Sequence, residues 1–350
     1  MPPNFLLESR EEVANKINTD NFKGDIPVFT ISLDFELYWG IFDKGHLEGR
    51  KEYFANTRTV IPQMLSLFEK KRIHVTWAIV GMLFAKNWAD WALAKPAQLP
   101  TYKDGKFSSY RLQEAYGTDA ANEQFIFAPE LVSLIQQTPF QEVGTHTFSH
   151  YYCQEEGQTV SQFVSDLEAA KRIANRQNIA LQSLVFPRNQ YQKNYLEACY
   201  KQGIRAVRSN PDIWFWEETV KSTLQKKVFR TGDAYAPLGR RTSYSLSSLA
   251  VAEGMPLSIP ASRLLRPVHG KNKVLNYLRL KRVLDEMTVA AKAKLCYHLW
   301  WHPHNFGNNP EKSMDDLRTI VSHYKKLEKQ FGMCSLGMLE IYDLLQKFRN

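Results

Sequence analysis

The sequence predicts an α/β protein in which a strand and a helix alternate about seven times, the pattern of a parallel sheet or a barrel. Short apolar runs, such as residues 26–33 and 73–80, have the length and composition of buried strands. The longer segments between such runs place apolar residues at helical spacing. Polar side chains follow several strands, and right-handed crossovers would bring those strand ends to one face. The fold class therefore also predicts where a site would form.

The predicted elements follow one another along a single domain. We expect strands at residues 26–33, 73–80, 140–145, 181–186, 204–207, 294–302 and 333–335. We expect the main helices at residues 57–71, 129–137, 160–178, 193–202, 271–293, 313–331 and 336–348. Residues 1–25 form a polar N-terminal extension to the domain of residues 26–348. Insertions are expected at about 95–128, as a lid or binding loop, and at 209–270, as loops with short helices.

The chain is basic, with a formal net charge of +9, but its lysines and arginines are scattered. The densest basic segment, residues 271–282, interleaves its charges with Leu275, Leu278 and Val283, which is typical of the solvated face of an amphipathic helix. A patch for lipid or sugar phosphates is the alternative. No nucleic-acid-binding motif accompanies the charge, so we expect no nucleic acid partner.

The cysteines and the N-terminus indicate a cytoplasmic protein. The four cysteines lie far apart and form no C-x-x-C pair, which favours a reducing compartment over a disulfide framework. The first twenty residues are acidic and polar and lack the apolar stretch of a secretory signal. No run of residues approaches the length of apolar sequence that spans a membrane.

Carboxylates and histidines follow three of the predicted strands. His146 and His150 are four residues apart directly after one strand, so that a helical turn would put both rings on one side. The first strand ends in Asp34 and Glu36, and a late strand ends in His302. These residue types at strand ends are the usual material of a hydrolytic metal site. The alternative is a pair of unrelated histidines, one of which caps a helix.

These motifs resemble those of the polysaccharide deacetylases with the NodB homology domain, carbohydrate esterase family 4. The segment 146–150, His-Thr-Phe-Ser-His, matches the family's H-[ST]-x-x-H metal motif, and the preceding Glu-x-Gly matches as well. Residues 32–36, Ser-Leu-Asp-Phe-Glu, are an altered form of its T-F-D-D motif, and Trp300-Trp301-His302 matches its late histidine motif. The H-E-x-x-H pattern of metalloproteases is excluded, because Thr147 replaces its glutamate.

The resemblance implies a distorted (β/α)7 barrel that removes an acyl group from an N-acylated sugar with one divalent metal, Zn²⁺ or else Co²⁺, Ni²⁺ or Mn²⁺. It implies that His146 and His150 bind the metal, that Asp34 is the general base and that His302 is the general acid. The family's third ligand follows the base directly, but Phe35 stands there in this chain. We assign the ligand to Glu36; the reverse assignment of the two carboxylates, and a weak two-histidine site, remain open.

Further site residues are predicted beside these. Arg188 corresponds to the family arginine that orients the catalytic carboxylate, and a surface arginine is the alternative. Trp39, His304 and Asn305 are predicted to line the substrate pocket, although the last two could simply cap the next helix. His298 lies inside a strand and is predicted to be a core histidine.

The leading functional hypothesis is a metal-dependent deacetylase or deformylase of a sugar intermediate in surface polysaccharide biosynthesis. A nucleotide- or lipid-linked sugar fits a cytoplasmic protein, and a basic surface suits its phosphates and a peripheral membrane contact. Two alternatives are a hydrolase of a small non-sugar amide on the same fold and a non-catalytic carbohydrate-binding barrel. The sequence does not predict the sugar, the acyl group or the oligomeric state.

Overall fold

A computed structural model describes residues 26–117, 119–217 and 223–347 and confirms the α/β fold class. Within these residues the strands are β1 Val28–Phe35, β2 Val75–Ile79, β3 Gln141–Thr145, β4 Ser183–Val185, β5 Ala206–Ser209, β6 Leu257–Pro260, β7 Arg263–Leu264, β8 Cys296–Trp301 and β9 Cys334–Ser335. The helices are α1 Lys51–Lys71, α2 Trp88–Ala94, α3 Leu112–Tyr116, α4 Glu123–Ile126, α5 Pro129–Gln137, α6 Val160–Asn175, α7 Lys193–Lys201, α8 Leu224–Gly232, α9 Lys273–Lys292, α10 Pro310–Phe331 and α11 Met338–Lys347. The N-terminal extension and residue 348 lie outside the described residues.

The strands form one parallel sheet in the order β6-β5-β4-β3-β2-β1-β8-β7, with β9 beside β1. Its two edges are joined by the chain itself, because only Ala261 and Ser262 separate β6 from β7. Ala261 N donates to Ser209 O on one side, and Ser262 N donates to His298 O on the other, at 2.9 and 2.8 Å. Counted as one bent strand, β6 and β7 complete a ring of seven strands. This is the distorted (β/α)7 barrel that the motifs implied.

The bent strand corrects the prediction for residues 209–270. That segment does contain a helix, α8, but β6 and β7 belong to the barrel and are not part of an insertion. The two strands are short, and a proline ends β6, so a sequence rich in Pro, Gly and Ser gave no strand pattern.

Alternation along β1 separates the outer core from the barrel interior. Phe29, Ile31, Leu33 and Phe35 belong to the main apolar core, where Phe29 stacks on Tyr324 of α10 at 5.4 Å between ring centroids. The residues between them, Thr30, Ser32 and Asp34, are buried polar groups on the other face. Residues two apart on a strand share a face, so the interior side of β1 leads to the strand end where the candidate site lies.

The segment 95–128 folds as short helical turns over the His146–His150 loop. Ser109 Oγ donates to Ser149 O at 2.9 Å, and Tyr102 Oη accepts from Tyr152 N at 2.8 Å. These contacts place the segment against the candidate site.

In the part of the chain that the structure describes, no helix combines the length and apolarity needed to cross a membrane.

Candidate metal and catalytic site

Three chain segments place a potential metal ligand at the same end of the barrel. Glu36 follows β1, and His146 and His150 follow β3, where the chain makes a tight loop. One ligand atom from each of the three side chains lies within 4.8 Å of the others, and all three side chains are buried. A second group of close donors, Asp34, Glu36 and His302, adjoins the first.

The two imidazoles converge on one carboxylate oxygen. Glu36 Oε1 lies 3.0 Å from His146 Nε2 and 3.2 Å from His150 Nε2. The outer nitrogens have partners of their own: His146 Nδ1 lies 2.7 Å from Val185 O, and His150 Nδ1 lies 3.1 Å from Tyr152 Oη. Partners of this kind fix the orientation and tautomer of metal-binding histidines.

These contacts leave a place for a cation. Val185 O can only accept, so His146 Nδ1 carries the proton, and the Nε2 of a neutral ring faces the carboxylate with a lone pair. Two acceptors at 3.0 Å need a proton or a cation between them. Ligand atoms about 2.0 to 2.2 Å from a tetrahedral zinc lie roughly 3.3 to 3.5 Å apart. The donor set therefore fits a divalent metal of the zinc class.

The charge states of His150 and Glu36 also suit metal binding. Burial lowers the pKa of His150 to about 4, although Glu36 acts in the opposite direction, and so favours the neutral ring that a metal requires. Burial alone would raise the pKa of Glu36, but His302 and His150, together with hydrogen bonds from the rings, hold it well below its ordinary value. An anionic Glu36 beside a neutral His150 ring is the result.

Asp34 is held by Arg208, which corrects the assignment of that role to Arg188. Arg208 Nη1 and Nη2 donate to Asp34 Oδ1 and Oδ2 at 2.7 Å each, and both side chains are buried. Burial raises the pKa of Asp34, but Arg208, followed by His146 and His302, brings it below its ordinary value. Asp34 is therefore a carboxylate at neutral pH.

Arg188 supports the metal-ligand side of the site instead. Its guanidinium pairs with Asp43 and lies 4.2 Å from the centre of the Tyr152 ring. Tyr152 Oη in turn lies 3.5 Å from Asp43 Oδ1 and 3.1 Å from His150 Nδ1. Arg188 follows β4, next to β3, whereas Arg208 lies within β5 and reaches across the barrel interior to β1. The position of each arginine in the sheet decides which carboxylate it can meet.

His302 lies between the two carboxylates. Its Nε2 is 3.6 Å from Asp34 Oδ2 and 3.6 Å from Glu36 Oε1, and its side chain is 25% exposed, the most open of this cluster. His304 stacks against it with ring centroids 5.0 Å apart. The buried His304 Nδ1 has no hydrogen-bond partner in the described residues and lies 3.9 Å from Glu36 Oε2. Burial lowers the pKa of His304 to about 3.

The remaining predicted residues have different surroundings. Trp39 does not line a pocket: it is fully buried, its Nε1 donates to Ile126 O at 2.6 Å, and it packs against Trp88. The prediction of a substrate-binding role for Trp39 is therefore wrong, because its side chain packs in the core and is closed to solvent. Asn305 is partly buried in the turn after His302. His298 is a core histidine, as predicted, and its Nε2 lies 2.8 Å from Ser32 Oγ.

The loop that carries the histidines is strained and anchored. Thr147 and His150 have positive φ angles of 64° and 57°, which non-glycine residues rarely adopt. Asp166 of α6 holds the loop: it accepts from Phe148 N at 2.7 Å and from the backbone and hydroxyl groups of Ser149. Asp166 was not predicted, although an acidic residue on the apolar face of an amphipathic helix is a signal for such a role.

Comparison with known proteins found a family model that matches part of the chain and solved structures that share its fold. Residues 37–207 match the sequence model for polysaccharide deacetylase. That span contains both histidines of the loop but neither candidate carboxylate, Arg208 nor His302. No curated protein matches the chain in sequence.

Solved structures share the fold at low sequence identity. A protein described as a polysaccharide deacetylase from Mycobacterium smegmatis aligns with a TM-score of 0.60 at 11% identity, over 93% of this chain and 92% of its own. One from Pseudomonas aeruginosa PAO1 gives 0.56 at 12% identity, over 93% of each chain. The Puue allantoinase gives 0.51 at 12% identity, over 92% and 91%. At these identities the likeness establishes the fold alone.

Proposed function

We propose that this chain, of which residues 37–207 match the model for polysaccharide deacetylase, hydrolyses the amide of an N-acylated sugar with a divalent metal held by Glu36, His146 and His150. One observation carries the proposal. A single carboxylate oxygen lies within 3.2 Å of two imidazole nitrogens, and the outer nitrogen of each ring already has a partner. This arrangement has the composition and spacing of a metal site with a position left open for catalysis.

Bound there, a divalent ion would polarise the amide carbonyl and make a water molecule acidic near neutral pH. The chain's own residues then divide the proton transfers. Asp34 is ionised and faces the site, so its Oδ2 accepts a proton from the attacking water. His302 Nε2, 3.6 Å from that oxygen and partly open to solvent, donates a proton to the departing amine nitrogen. Arg208 fixes the orientation of Asp34 throughout.

We propose a nucleotide- or lipid-linked sugar of surface polysaccharide biosynthesis as the substrate, with an acetyl or formyl group as the acyl group removed. The basic charge of the chain supports a substrate that carries phosphate. The four cysteines are free thiols, which supports the proposed cytoplasmic location.

A peripheral membrane contact through α8 is part of this proposal. No residue of this helix is buried, and Leu224 and Val228 are 77% and 59% exposed. They lie one helical turn apart beside Lys226 and Lys227, and Trp214 packs on the same helix through Phe229. Exposed apolar residues among lysines are typical of a surface that meets an anionic membrane.

Metal content and acyl release test the proposed function together. Protein purified with zinc should hold one equivalent of metal and release acetate or formate from an N-acylated sugar. His150→Ala should lose both the metal and the turnover. Full activity in that variant would overturn the assignment. Metal without any sugar turnover would favour a small non-sugar amide as substrate, and a metal-free wild-type protein that binds sugar would favour the non-catalytic barrel.

A further inference from the structure

We propose that a cleft beside the candidate catalytic residues binds the phosphate of a phosphorylated N-acyl sugar. This inference rests on the proposed function and specifies its substrate class. We call the site the arginine cleft, and its lining includes Trp216, Arg230, Asp233, Arg263, Arg266 and Trp300.

Trp300 forms a wall common to the arginine cleft and the candidate catalytic site. The Arg208 guanidinium that holds Asp34 lies 4.1 Å from the centre of the Trp300 ring, and the His302 ring lies 5.7 Å from it. In the cleft, Trp216 lies 6.4 Å from Trp300, with the two ring planes at 70°. Trp300 is only 5% exposed, whereas the partly buried Trp216 offers an indole ring that suits the apolar face of a sugar. A sugar positioned for hydrolysis would therefore extend into the cleft.

One cation of the arginine cleft is compensated within the protein. Arg263 pairs with Asp233 at 3.0 Å and with Glu286 at 2.5 Å. Arg282, behind it, contacts the same two carboxylates at 3.5 and 3.1 Å. Two arginines and two carboxylates thus form a neutral network that fixes the floor of the cleft.

Arg266 adds positive charge beyond that network. Its Nη2 donates to the backbone oxygen of Arg230 at 3.0 Å, and among the described residues no carboxylate lies within ion-pair distance of it. The Arg230 guanidinium lies nearby, 5.2 Å from the centre of the Trp216 ring. Burial lowers the pKa of Arg266, and Arg263 acts in the same direction, although Tyr235 opposes it.

A phosphate group complements the charge and the hydrogen-bond donors of Arg266 better than a neutral sugar does. Its oxygens accept paired hydrogen bonds from the planar guanidinium, and its charge offsets that of the partly buried Arg266. The same chemistry occurs in a sugar phosphate, a sugar nucleotide and a lipid-linked sugar, so the structure assigns the phosphate and an experiment must identify its source.

Anion binding can be measured without turnover. Inorganic phosphate should change the tryptophan fluorescence of the full chain after chelator treatment, so that no metal competes for the anion. Arg266→Gln should weaken phosphate binding about tenfold or more. Arg240→Gln is the matched control, because Arg240 pairs with Asp212 and its side chain is 63% exposed outside the cleft. Trp216→Phe should reduce the fluorescence change without removing phosphate binding.

The outcomes separate this inference from the proposed function. Equal phosphate affinity in the wild type and Arg266→Gln, or no phosphate binding by the wild type, would overturn the subsite even if acyl release continued. Loss of phosphate binding in Arg266→Gln with no acyl release by any variant would retain the subsite and reject the hydrolase. Tighter binding of UDP-N-acetylglucosamine than of phosphate would identify a nucleotide source. Binding only to phosphatidylcholine vesicles containing undecaprenyl-phosphate-linked sugar would identify a lipid source.

Discussion

Arg208 and Asp34 form a buried, bidentate ion pair across the barrel, with both hydrogen bonds at 2.7 Å. Arg208 makes further hydrogen bonds to Ser32 Oγ and Asn189 Oδ1, at 3.1 Å each, and one face of its guanidinium is covered by Trp300. Because the planar Arg208 guanidinium is held by these contacts, Asp34 has little freedom to rotate. The pair thereby fixes the position of the proposed general base.

Arg208→Lys should lower kcat about 100-fold while the protein remains folded. Lysine keeps the positive charge, so Asp34 stays paired, but an ammonium group cannot hold both carboxylate oxygens in one plane. The rate of acyl release, the KM and the melting temperature should be measured together. Arg205→Lys, at a partly exposed position just before β5, is the control. A kcat near that of the wild type would refute the positioning role.

Substitutions of the two carboxylates should separate their roles. Glu36→Gln should lower metal occupancy at least tenfold, because it replaces the anionic oxygen between the two imidazoles with a neutral group. Asp34→Asn should retain the metal but lose most of its turnover, because the amide cannot accept a proton. The metal content and the rate of acyl release should be measured for each purified variant. The opposite pattern would show that Asp34 is the ligand and Glu36 the base.

Gly40→Ala should weaken metal binding without unfolding the barrel. A Cβ atom at Gly40 would lie 1.7 Å from Glu36 Oε2 and 2.9 Å from Glu36 Cβ, so the carboxylate would have to move. Gly49→Ala is the matched control, since a Cβ atom there meets nothing within 4 Å. Zinc titration against a chromogenic chelator should show at least a tenfold loss for Gly40→Ala alone. Equal zinc affinities in the two variants would contradict the tight packing of Glu36.

Asp166→Asn should change how stability depends on pH. Burial raises the pKa of Asp166 from 3.8 to about 6, despite the hydrogen bonds that it accepts. A raised folded-state pKa contributes stability that is full below about pH 3.8 and is lost as the pH rises through about 6. The difference corresponds to roughly 3 kcal/mol.

Urea unfolding from about pH 3.5 to 7 measures this effect. The free energy of unfolding of the wild type should fall relative to that of Asp166→Asn as the pH rises, because asparagine does not titrate. Asp315→Asn, whose position is 61% exposed, should leave the wild-type pH dependence unchanged. Parallel curves for the wild type and Asp166→Asn would contradict the raised pKa.

The double substitution Leu224→Ser and Val228→Ser should weaken binding to anionic vesicles several-fold. It removes the exposed apolar residues of α8 and leaves Lys226 and Lys227 in place. Co-sedimentation with phosphatidylglycerol vesicles is the measurement. Leu93→Ser alters a leucine that is 81% exposed on α2 and serves as the control. If wild type and double variant sediment equally, α8 is not the membrane contact.

Several features of the site were predictable because they depend on local pattern. Buried strands and helical spacing identified most of the barrel, and polar residues at strand ends identified the face where the site forms. The altered first motif also has a local explanation. Phe35 points outward and contacts Trp77 in the core, with ring centroids 6.3 Å apart, whereas Asp34 and Glu36 face the site. The alternation of a strand thus accounts for carboxylates two residues apart.

Other features depend on which strands are neighbours. The choice between Arg188 and Arg208 as the partner of Asp34 follows from sheet order and reach across the barrel. The burial of Trp39 follows from its packing against the segment 95–128, and the bent strand of β6 and β7 forms only because β5 and β8 offer edges on both sides.

The sequence by itself determined the fold class, the strand ends and the kinds of side chain available there, because hydrophobic periodicity and motif spacing are properties of a few adjacent residues. Only the tertiary structure decided which arginine meets which carboxylate, which tryptophan is core and which lines the cleft, and how the sheet closes. Those outcomes depend on distances between segments that are far apart in the sequence, which the folded barrel sets and local sequence does not encode.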